Sequence, residues 1–421
     1  MATTAVSVDE TCRGAKRAAR ELQTLDSAVK DAALREIADA LIDGTDEILS
    51  ANARDLEAGE SSGLSDALMD RLALSDERIA RIASQARDIA ALPDPVGEVI
   101  DGRTLPNGLQ LRRVRVPLGV VAVVYEARPN VTIDAAALCL KSGNAIVLRG
   151  SSSATHSNVV LANIASRAAR AVGLPEHAIS LIGGGDRDEL RQLATQTGIV
   201  DLIIPRGGEG LKAALKGVAT VPVIYAASGN NHVFVDAGAD LRMAREILLN
   251  AKLQRPGVCN AVEKLLVHAD VAAEFVPGAL AALHAAGVRL HGDARVRALA
   301  GDVPVHAATD VDWDTEYLAL ELAAAVVDSG SEAIEHINRH GSGHSEAIVT
   351  RSSDSVRAFQ LGVDAACVYV NASTRFTDGG EFQMGAEIGN STQKLHARGP
   401  IGLRELCTFK YLIDGDGQVR G

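Results

Sequence analysis

The stretch that indicates the fold is VPLGVVAVVYEARPNVTIDAAALCLKSGNAIVLRG, residues 116–150. It begins with a continuous apolar run, GVVAVVY at 119–125, continues with a helical pattern over 132–141 and ends in a second apolar run over 144–149. Short apolar runs bounded by glycine or proline are typical of buried strands. A helix that joins two such strands makes them parallel, so this stretch predicts a parallel sheet covered by helices.

The same alternation continues to the end of the chain. Apolar strand patterns and helical patterns follow one another with short links, first over 156–229 and again over 230–380. The last strand pattern of the first group is VPVIYAA at 221–227, and the second group begins with HVFVDAG at 232–238. We therefore expect an α/β fold with two doubly wound parallel-sheet domains, in which ligands bind at the carboxyl ends of strands.

Two further segments flank this alternation. Residues 8–95 show helical periodicity, for example over 29–42. Residues 101–116 alternate apolar and polar side chains around Asn107-Gly108, a pair that suits a tight hairpin turn. A two-stranded arm is not stable alone in water. We therefore expect the hairpin to pack on a partner subunit.

Composition excludes several classes of protein. The chain has 421 residues, a net charge of -12, 47% hydrophobic and 3% aromatic residues. The apolar content excludes a disordered chain, and the acidic balance argues against nucleic-acid binding. An apolar run of about 18 residues, which a membrane-spanning helix needs, does not occur. Five cysteines and no secretory-signal pattern predict a cytoplasmic protein with reduced thiols.

Two glycine-rich turns are candidates for phosphate binding. They lie at 183–185 and 207–210, each between a strand pattern and a helical pattern. Glycine allows close approach of the backbone, and a helix N-terminus offers free N–H groups. The signal is weak, since any turn between strand and helix can contain glycine. The sequence lacks the pattern G-x-x-x-x-G-K-S/T, which disfavours phosphoryl transfer of the P-loop type.

Cys259 differs from the other four cysteines. It follows Gln254-Arg255-Pro256-Gly257, where a helical pattern breaks, so its thiol can project into a cleft as a nucleophile. The alternative, another buried cysteine, stays open. The remaining cysteines lie in apolar runs or near the termini, and no cluster has metal-ligand spacing.

Polar side chains follow two of the strand patterns. Arg128 and Asn130 come after the first strand of the parallel sheet, and Arg375 follows the strand CVYV at 367–370. Arginine binds carboxylate or phosphate with two parallel hydrogen bonds. His344 and His396 are either surface histidines or ligand contacts, and the pattern does not separate these alternatives.

Three long motifs resemble one enzyme family. The stretch 116–150, the segment NAKLQRPGVCNAVEKLLVH at 250–268 and the segment NASTRFTDGGEFQMGAEIGNSTQKLHARGP at 371–400 closely resemble gamma-glutamyl phosphate reductases, which are also called glutamate-5-semialdehyde dehydrogenases. These enzymes of proline biosynthesis belong to the aldehyde dehydrogenase superfamily. The resemblance covers the chain from about residue 8 to its end and implies an aldehyde-dehydrogenase-like fold.

The resemblance implies roles for named residues. Cys259 matches the nucleophile of the superfamily, and Asn130 matches the asparagine of the oxyanion hole. Arg149 stands where relatives place a lysine that contacts the cofactor ribose, and Glu316 matches the glutamate that holds the nicotinamide ribose. The full expected cofactor set is Arg149, Gly150, Ser151, Ser152, Gly184, Arg206, Gly207, Gly208 and Glu316. The expected substrate set is Arg128, His344, Ser373, Thr374 and Arg375, and no metal is expected.

The resemblance also implies a reaction and a division of the chain. We expect reduction of gamma-glutamyl phosphate to glutamate 5-semialdehyde and phosphate, through a thioester on Cys259, with NADPH favoured because Arg149 can serve a 2′-phosphate. The expected dinucleotide-binding domain covers 1–100 and 117–229, and the catalytic domain covers 230–380. The hairpin 101–116 and the strand within 400–421 are expected to form the contact of a homo-oligomer. A glutamate kinase is a possible partner.

Three rival functions are weighed against this one. A hydrolytic aldehyde dehydrogenase needs a glutamate base before the nucleophile, and VIYAASGNN at 223–231 has no carboxylate. A pyridoxal-phosphate transferase needs a Schiff-base lysine, for which Lys141 and Lys394 are candidates. A non-catalytic dinucleotide-binding subunit does not need Cys259.

Overall fold

The computed structural model describes residues 7–183, 186–225 and 228–420, without the side chains of Ala67 and Glu209. The chain forms two compact units. Unit 1 comprises Met1–Tyr225, Met384–Gly389 and Ile401–Gly421, and unit 2 comprises Ala226–Gln383 and Asn390–Pro400. The expected division into functional domains concerns roles and stays a prediction.

Unit 1 begins with five helices. Ser7 and Glu10 form a reciprocal capping box that fixes the start of the first helix. The periodic apolar residues predicted over 29–42 form the buried face of the second helix, including Leu34, Ile37 and Leu41. The helices are α1 (Val8–Leu22), α2 (Ser27–Asp43), α3 (Thr45–Ser61), α4 (Asp66–Leu72) and α5 (Asp76–Ala91).

A four-stranded parallel sheet follows in unit 1. Its strands are β3 (Val120–Tyr125), β4 (Ala145–Arg149), β5 (Ile179–Leu181) and β6 (Leu202–Arg206), in the order β5-β4-β3-β6. All six residues of β3 are buried, which explains its unbroken apolar sequence. The crossover helices are α6 (Asn130–Lys141), α7 (Thr155–Ala171) and α8 (Arg187–Ala194), and α9 (Glu209–Val218) follows β6.

The strand expected at 221–227 does not form in the described residues. Val223 makes only an isolated bridge with Ile203 of β6, in which Ile203 N–H donates to the Pro222 carbonyl and Ile224 N–H donates to the Ile203 carbonyl. Proline has no N–H group, so Pro222 interrupts the ladder that an extended strand would need. Residues 226–227 lie outside the described residues.

The hairpin is confirmed as two antiparallel strands, β1 (Val99–Thr104) and β2 (Gln110–Pro117). Gly108 has a φ of 88° in the turn, a conformation that glycine adopts without strain. The last strand, β16 (Cys407–Asp414), pairs antiparallel with β2 along its whole length. The hairpin and the C-terminal strand therefore form one three-stranded sheet.

Unit 2 contains a seven-stranded parallel sheet in the order β10-β9-β11-β8-β7-β12-β13. The strands are β7 (Asn231–Val235), β8 (Val262–His268), β9 (Arg289–Gly292), β10 (His306–Ala307), β11 (Glu321–Val327), β12 (Ser345–Val349) and β13 (Cys367–Val370). A two-stranded element, β14 (Asn390–Ser391) and β15 (Gly399–Pro400), also belongs to unit 2.

Helices cover both faces of this sheet. Neighbouring residues of a strand point to opposite faces, so they pack against different helices. Leu265 packs with α10 and α11 residues in one core cluster, whereas Leu266 packs with α14 and α15 residues in another. The helices are α10 (Leu241–Leu253), α11 (Ala269–Ala285), α12 (Ala294–Leu299), α13 (Asp310–Asp314), α14 (Gly330–His340) and α15 (Ser353–Gly362). Among the described residues, none of the helices is both long and apolar enough to cross a membrane.

Candidate functional site

In unit 2, Cys259 lies in the turn between α10 and β8 and is partly buried. Its carbonyl accepts a hydrogen bond from Asn231 Nδ2 at 2.8 Å, and the same amide donates to the Ala261 carbonyl at 2.7 Å. The backbone of Gly229 packs against this turn so closely that a Cβ there would lie 1.6 Å from the Cys259 carbonyl oxygen. Only glycine therefore fits at position 229 beside this turn.

Asn260 fixes the other side of the turn. Its Nδ2 donates to the carbonyls of Thr377 at 3.0 Å and Arg375 at 3.2 Å. Its own carbonyl accepts from Thr374 Oγ1 at 2.7 Å, and Thr374 is fully buried. The predicted substrate residue Thr374 thus lies behind the cysteine turn, where its hydroxyl holds the backbone.

Arg375 connects both ends of the turn. Its Nε donates to Gln254 Oε1 at 2.9 Å, and its Nη1 donates to Asn260 Oδ1. Burial and the charge of Arg255 lower the pKa of Arg375, while charge on Asp378 and on Cys259 acts to raise it. Arg375 is therefore within electrostatic range of Cys259, where a cation favours the thiolate form. Ser373 Oγ accepts from the Arg375 N–H at 3.3 Å.

Glu316 lies next to the same turn. Its Oε1 accepts a hydrogen bond from the Gly229 N–H at 2.6 Å, and Gly229 packs on Cys259. Within unit 2 the structure thus brings Cys259, Glu316 and Arg375 into one neighbourhood. The sequence patterns did not indicate the residues that assemble it, Gly229 and Asn231. The signal for them was their position at the start of β7, on the sheet edge that also carries Cys259: Gly229 lies two residues before this strand, and Asn231 is its first residue.

His344 is fully buried and lies directly before β12. Its Nδ1 bonds to Ser345 Oγ at 2.7 Å, and the Ser345 hydroxyl bonds to Thr377 Oγ1 at 2.5 Å. Burial lowers the pKa of His344 to about 4, so its ring is neutral at pH 7. Its Nε2 has no hydrogen-bond partner among the described residues. The chain of hydroxyls links His344 to Thr377 and thereby to Asn260.

In unit 1, the predicted cofactor residues begin with Arg149 at the end of β4. Its Nη2 donates to the Asp186 carbonyl at 2.9 Å, and its Nε is buried with no partner among the described residues. Burial lowers the pKa of Arg149, while the charges of Glu189 and Asp186 raise it. A Cβ at Gly150 would lie 2.0 Å from Asn158 Nδ2, so packing requires glycine there.

The two serines after Gly150 differ in their surroundings. Ser151 Oγ accepts from the Ala127 N–H at 3.2 Å and bonds to Ser153 Oγ at 2.6 Å. Ser152 is exposed at the start of a short 3-10 helix. Gly184 lies outside the described residues.

The glycine turn at 207–208 opens α9 and contacts a residue that the sequence analysis did not select. Glu126 Oε2 accepts from the Gly208 N–H at 2.9 Å, and a Cβ at Gly207 would lie 2.6 Å from the Glu126 carboxylate. Arg206 precedes this turn, and its guanidinium lies beside Gly389 of the third motif. A carboxylate therefore occupies the helix N-terminus that was predicted to bind phosphate. The signal for Glu126 in the sequence was its position directly after β3, the strand that pairs with β6.

Asn130 is the first residue of α6 and is partly buried. Its Nδ2 donates to Asp134 Oδ2 at 2.9 Å. Burial raises the pKa of Asp134 to about 6, while the Asn130 hydrogen bond and the charge of Arg206 oppose the rise. Arg128, two residues before Asn130, is also partly buried and follows Ala127, whose φ is 30°.

The rival chemistries find little support in the described residues. Lys141 is buried, and its ammonium donates to Asp31 and to the Ala90 carbonyl. Lys394 is ion-paired with Asp364. In the part of the chain that the structure describes, there is also no group of three or more His, Cys, Asp or Glu that could hold a metal ion.

Comparisons with known proteins agree with the sequence resemblance. The model of the aldehyde dehydrogenase family matches residues 1–298. The gamma-glutamyl phosphate reductase of Thermobifida fusca is 54% identical, covering 96% of this chain and 97% of that relative. That of Moorella thermoacetica is 56% identical, covering 99% of each. The crystal structure of gamma-glutamyl phosphate reductase from Thermotoga maritima matches with a TM-score of 0.96 and 44% identity, over 99% of this chain and 100% of that one.

Proposed function

The chain belongs to the aldehyde dehydrogenase family and, within it, to the gamma-glutamyl phosphate reductases, and from this premise we propose that it reduces L-glutamate 5-phosphate to L-glutamate 5-semialdehyde. Phosphate is released, NADPH is the reductant, and the reaction belongs to proline biosynthesis. The observation that carries the proposal is the turn around Cys259. It presents one partly buried thiol in a backbone clamped by Gly229, Asn231 and Asn260.

Cys259 acts as the nucleophile. Its thiolate attacks the acyl carbon of the substrate, the bond to the phosphate oxygen breaks, and a thioester to Sγ forms. The proximity of the Arg375 charge supports this role because it stabilises the thiolate without a general base.

Asn130 supplies an amide donor to the oxyanion that forms during this attack, together with the backbone N–H of Cys259. A donor in such a place contributes about 3–4 kcal/mol to transition-state stabilisation. The hydrogen bond from Asn130 to Asp134 supports the assignment, because it fixes the orientation of the amide.

One observation on the expected cofactor residues fits a phosphate-bearing dinucleotide: Arg149 has a buried Nε with no partner among the described residues. At Gly207 and Gly208, a phosphate would have to displace the Glu126 carboxylate that accepts from the Gly208 N–H. When bound, the reduced nicotinamide supplies the hydride that converts the acyl group to the aldehyde. Glu316 would hold its ribose, and the 149–152 and 206–208 segments would hold the phosphates.

The missing carboxylate before the nucleophile supports phosphate chemistry over hydrolysis. Activation of water needs a base, whereas attack by phosphate on the thioester in the reverse reaction does not. The residues that precede Asn231 in the chain, from 222 to 230, include no Asp or Glu.

Recognition of the amino-acid end and the phosphate of the substrate is assigned to one set of residues: Arg128, His344, Ser373, Thr374 and Arg375. Thr374 acts through the cysteine turn, since its hydroxyl is used by the Asn260 carbonyl. We also propose that the protein is a cytoplasmic homo-oligomer and that a glutamate kinase delivers the substrate.

The test is reduction of NADP⁺ by the protein with glutamate 5-semialdehyde, with and without inorganic phosphate. Turnover that depends strictly on phosphate is expected. Phosphate-independent turnover would contradict the proposal and assign the protein to the hydrolytic enzymes. In the same assay, a comparison of kcat/KM for NADP⁺ and NAD⁺ tests the cofactor, and a higher value for NAD⁺ would reject the choice of NADPH.

A further inference from the structure

Three charged side chains of unit 2 lie buried beneath residues 315–318, which we call the 315–318 segment. Lys252 lies in α10, and Glu263 and Lys264 are consecutive in β8, and all three have 0% exposure to solvent. Lys252 Nζ bonds to Glu263 Oε2 at 2.9 Å and to the Val262 carbonyl at 3.0 Å. The proposed chemistry uses none of these charges.

The cluster holds the 315–318 segment at both ends. Lys264 Nζ donates to the Thr315 carbonyl at 2.7 Å, and Glu263 Oε1 accepts from the Leu318 N–H at 3.3 Å. Between them, the Lys264 ammonium lies 4.5 Å from the centre of the Tyr317 ring, a favourable cation–π contact. Glu316 is thus enclosed by anchored residues on either side.

The opposite side of the segment contacts the cysteine turn. The Glu316 carboxylate accepts from the Gly229 N–H at 2.6 Å, and Gly229 packs on the Cys259 carbonyl. A Cβ at Gly257, two residues before Cys259, would lie 3.6 Å from the Leu318 carbonyl oxygen. Leu318 has a φ of 53°, which leucine rarely adopts, so the surroundings must hold this backbone in place.

Stability alone does not explain the cluster. Burial lowers the pKa of Lys264 to about 8, which reflects the cost of its charge in this environment. Replacement of buried ion pairs by apolar side chains of similar volume is often neutral or stabilising. The cluster is therefore better explained by what it positions.

We propose that Lys264 and Glu263 are positioning residues that bind Thr315 and Leu318, and thereby set the Glu316 carboxylate and, through Gly229, the Cys259 turn. The part of this inference that concerns the cofactor rests on the proposed function. The part that concerns Cys259 does not, because it follows from contacts within unit 2.

The first variant is Lys264→Met, which removes the donor to Thr315 and leaves the Lys252–Glu263 pair intact. In the NADP⁺-reduction assay, we expect KM for NADP⁺ to rise about tenfold while KM for glutamate 5-semialdehyde changes less than about twofold. We also expect the rate of Cys259 alkylation by iodoacetamide, in enzyme without cofactor, to change by about threefold or more. The alkylation measurement needs no turnover.

The second variant, Lys252→Met with Glu263→Met, removes an ion pair as a whole and leaves no unpaired partner within that pair. It deprives the Leu318 N–H of its acceptor, and the same pattern of changes is expected. The matched control is Lys30→Met in α2, where an equally buried lysine pairs with Asp94 in unit 1. Both kinetic constants and the alkylation rate should stay within about twofold of the wild-type values in this control.

A double-mutant cycle with Glu316→Ala decides the route of the effect. If Lys264 acts through Glu316, Lys264→Met should raise KM for NADP⁺ less than about twofold in the Glu316→Ala background. The inference would be overturned if the effects of Lys264→Met and Glu316→Ala on KM multiply in the double variant. It would also be overturned if KM and the rate of Cys259 alkylation are unchanged in Lys264→Met and in the Lys252→Met, Glu263→Met variant while both are folded. If the wild-type protein lacks NADPH-dependent turnover while the alkylation rates differ as expected, the proposed function fails and the positioning of Cys259 stands.

Discussion

Cys259 is the residue on which the proposed chemistry depends. Cys259→Ala removes the thiol without adding volume, so turnover should be lost while NADPH binding, measured by nicotinamide fluorescence, stays within about threefold of wild type. Because the thiol is the nucleophile, residual rates should fall by at least about four orders of magnitude. Cys367→Ala, which changes a partly buried cysteine outside the turn, is the control. Turnover retained in Cys259→Ala would refute the assignment.

Gly229 is constrained by its distance from the cysteine backbone rather than by its own φ. In Gly229→Ala the new Cβ would overlap the Cys259 carbonyl, so the turn must move and both the hydrogen bond to Glu316 and the thiol position change. We expect kcat/KM to fall by about 100-fold, or about 3 kcal/mol.

The control for this variant is Gly217→Ala in α9, where a Cβ meets no atom within 4 Å. It should keep full activity and raise stability slightly, since alanine is favoured over glycine in helices by about 1 kcal/mol. Equal activities of the two variants would show that the close contact at Gly229 has no role in catalysis.

At the scale of elements, β16 presents an apolar stripe. Phe409, Tyr411 and Ile413 alternate along one face and are 45%, 53% and 57% exposed. In the described part of the chain β16 pairs with β2 alone, so its other edge offers free backbone groups. Exposed apolar faces of this kind are typical of subunit interfaces.

The proposed homo-oligomer therefore depends on this strand. Tyr411→Lys combined with Ile413→Lys should lower the molar mass found by light scattering to that of one chain, because charges would have to be buried in the contact. Lys410→Glu, on the opposite face of the same strand, should leave the mass unchanged. An oligomer that survives the double substitution would place the interface elsewhere.

At the scale of elements, α9 also shows how a local motif acquires an unexpected partner. The glycines before α9 were predicted to approach phosphate, yet the nearby anion in the structure is the Glu126 carboxylate at the Gly208 N–H. Glu126 directly follows β3, and it meets the turn because β3 and β6 are neighbours in the sheet. Neither segment predicts this contact by itself.

For the whole molecule, buried histidines make stability depend on pH. His344 has a pKa of about 4 in the folded chain against 6.5 normally, so the unfolded chain binds its proton more readily. Its contribution is full above pH 6.5 and is lost as the pH falls towards 4. A tenfold difference in proton affinity equals about 1.4 kcal/mol, so His344 alone accounts for about 3 kcal/mol.

Other buried groups, among them His336 and Asp134, modify this dependence. Burial also lowers the pKa of His336 to about 3, which adds to the loss in acid, whereas the raised pKa of Asp134 acts in the opposite direction below pH 6. In urea unfolding between pH 7 and 4.5, His344→Gln should reduce the fall in unfolding free energy relative to wild type. The exposed His306→Gln is the control, and equal slopes for all three proteins would contradict the assignment.

The sequence by itself determined the class of fold and most of its elements. Apolar runs such as 120–125 are buried on both sides, and this requires a strand between helix layers whatever lies elsewhere in the chain. The hairpin followed from Asn107-Gly108. The residues that fix the Cys259 turn, at 260 and 374–375, lay inside motifs long enough to be recognised. The strand expected at 221–227 did not form because Pro222 lacks the N–H group that the ladder of hydrogen bonds needs.

Only the tertiary structure decided which side chains meet. Gly229, Glu316 and Cys259 are far apart in the chain and contact one another because β7, β8 and β11 start at the same edge of the sheet. The buried charges of Lys252, Glu263 and Lys264 are equally invisible in the sequence, since periodicity predicts burial of a position but not the partner it finds there. Strand order, and the contacts that depend on it, are set by packing of the whole unit rather than by local pattern.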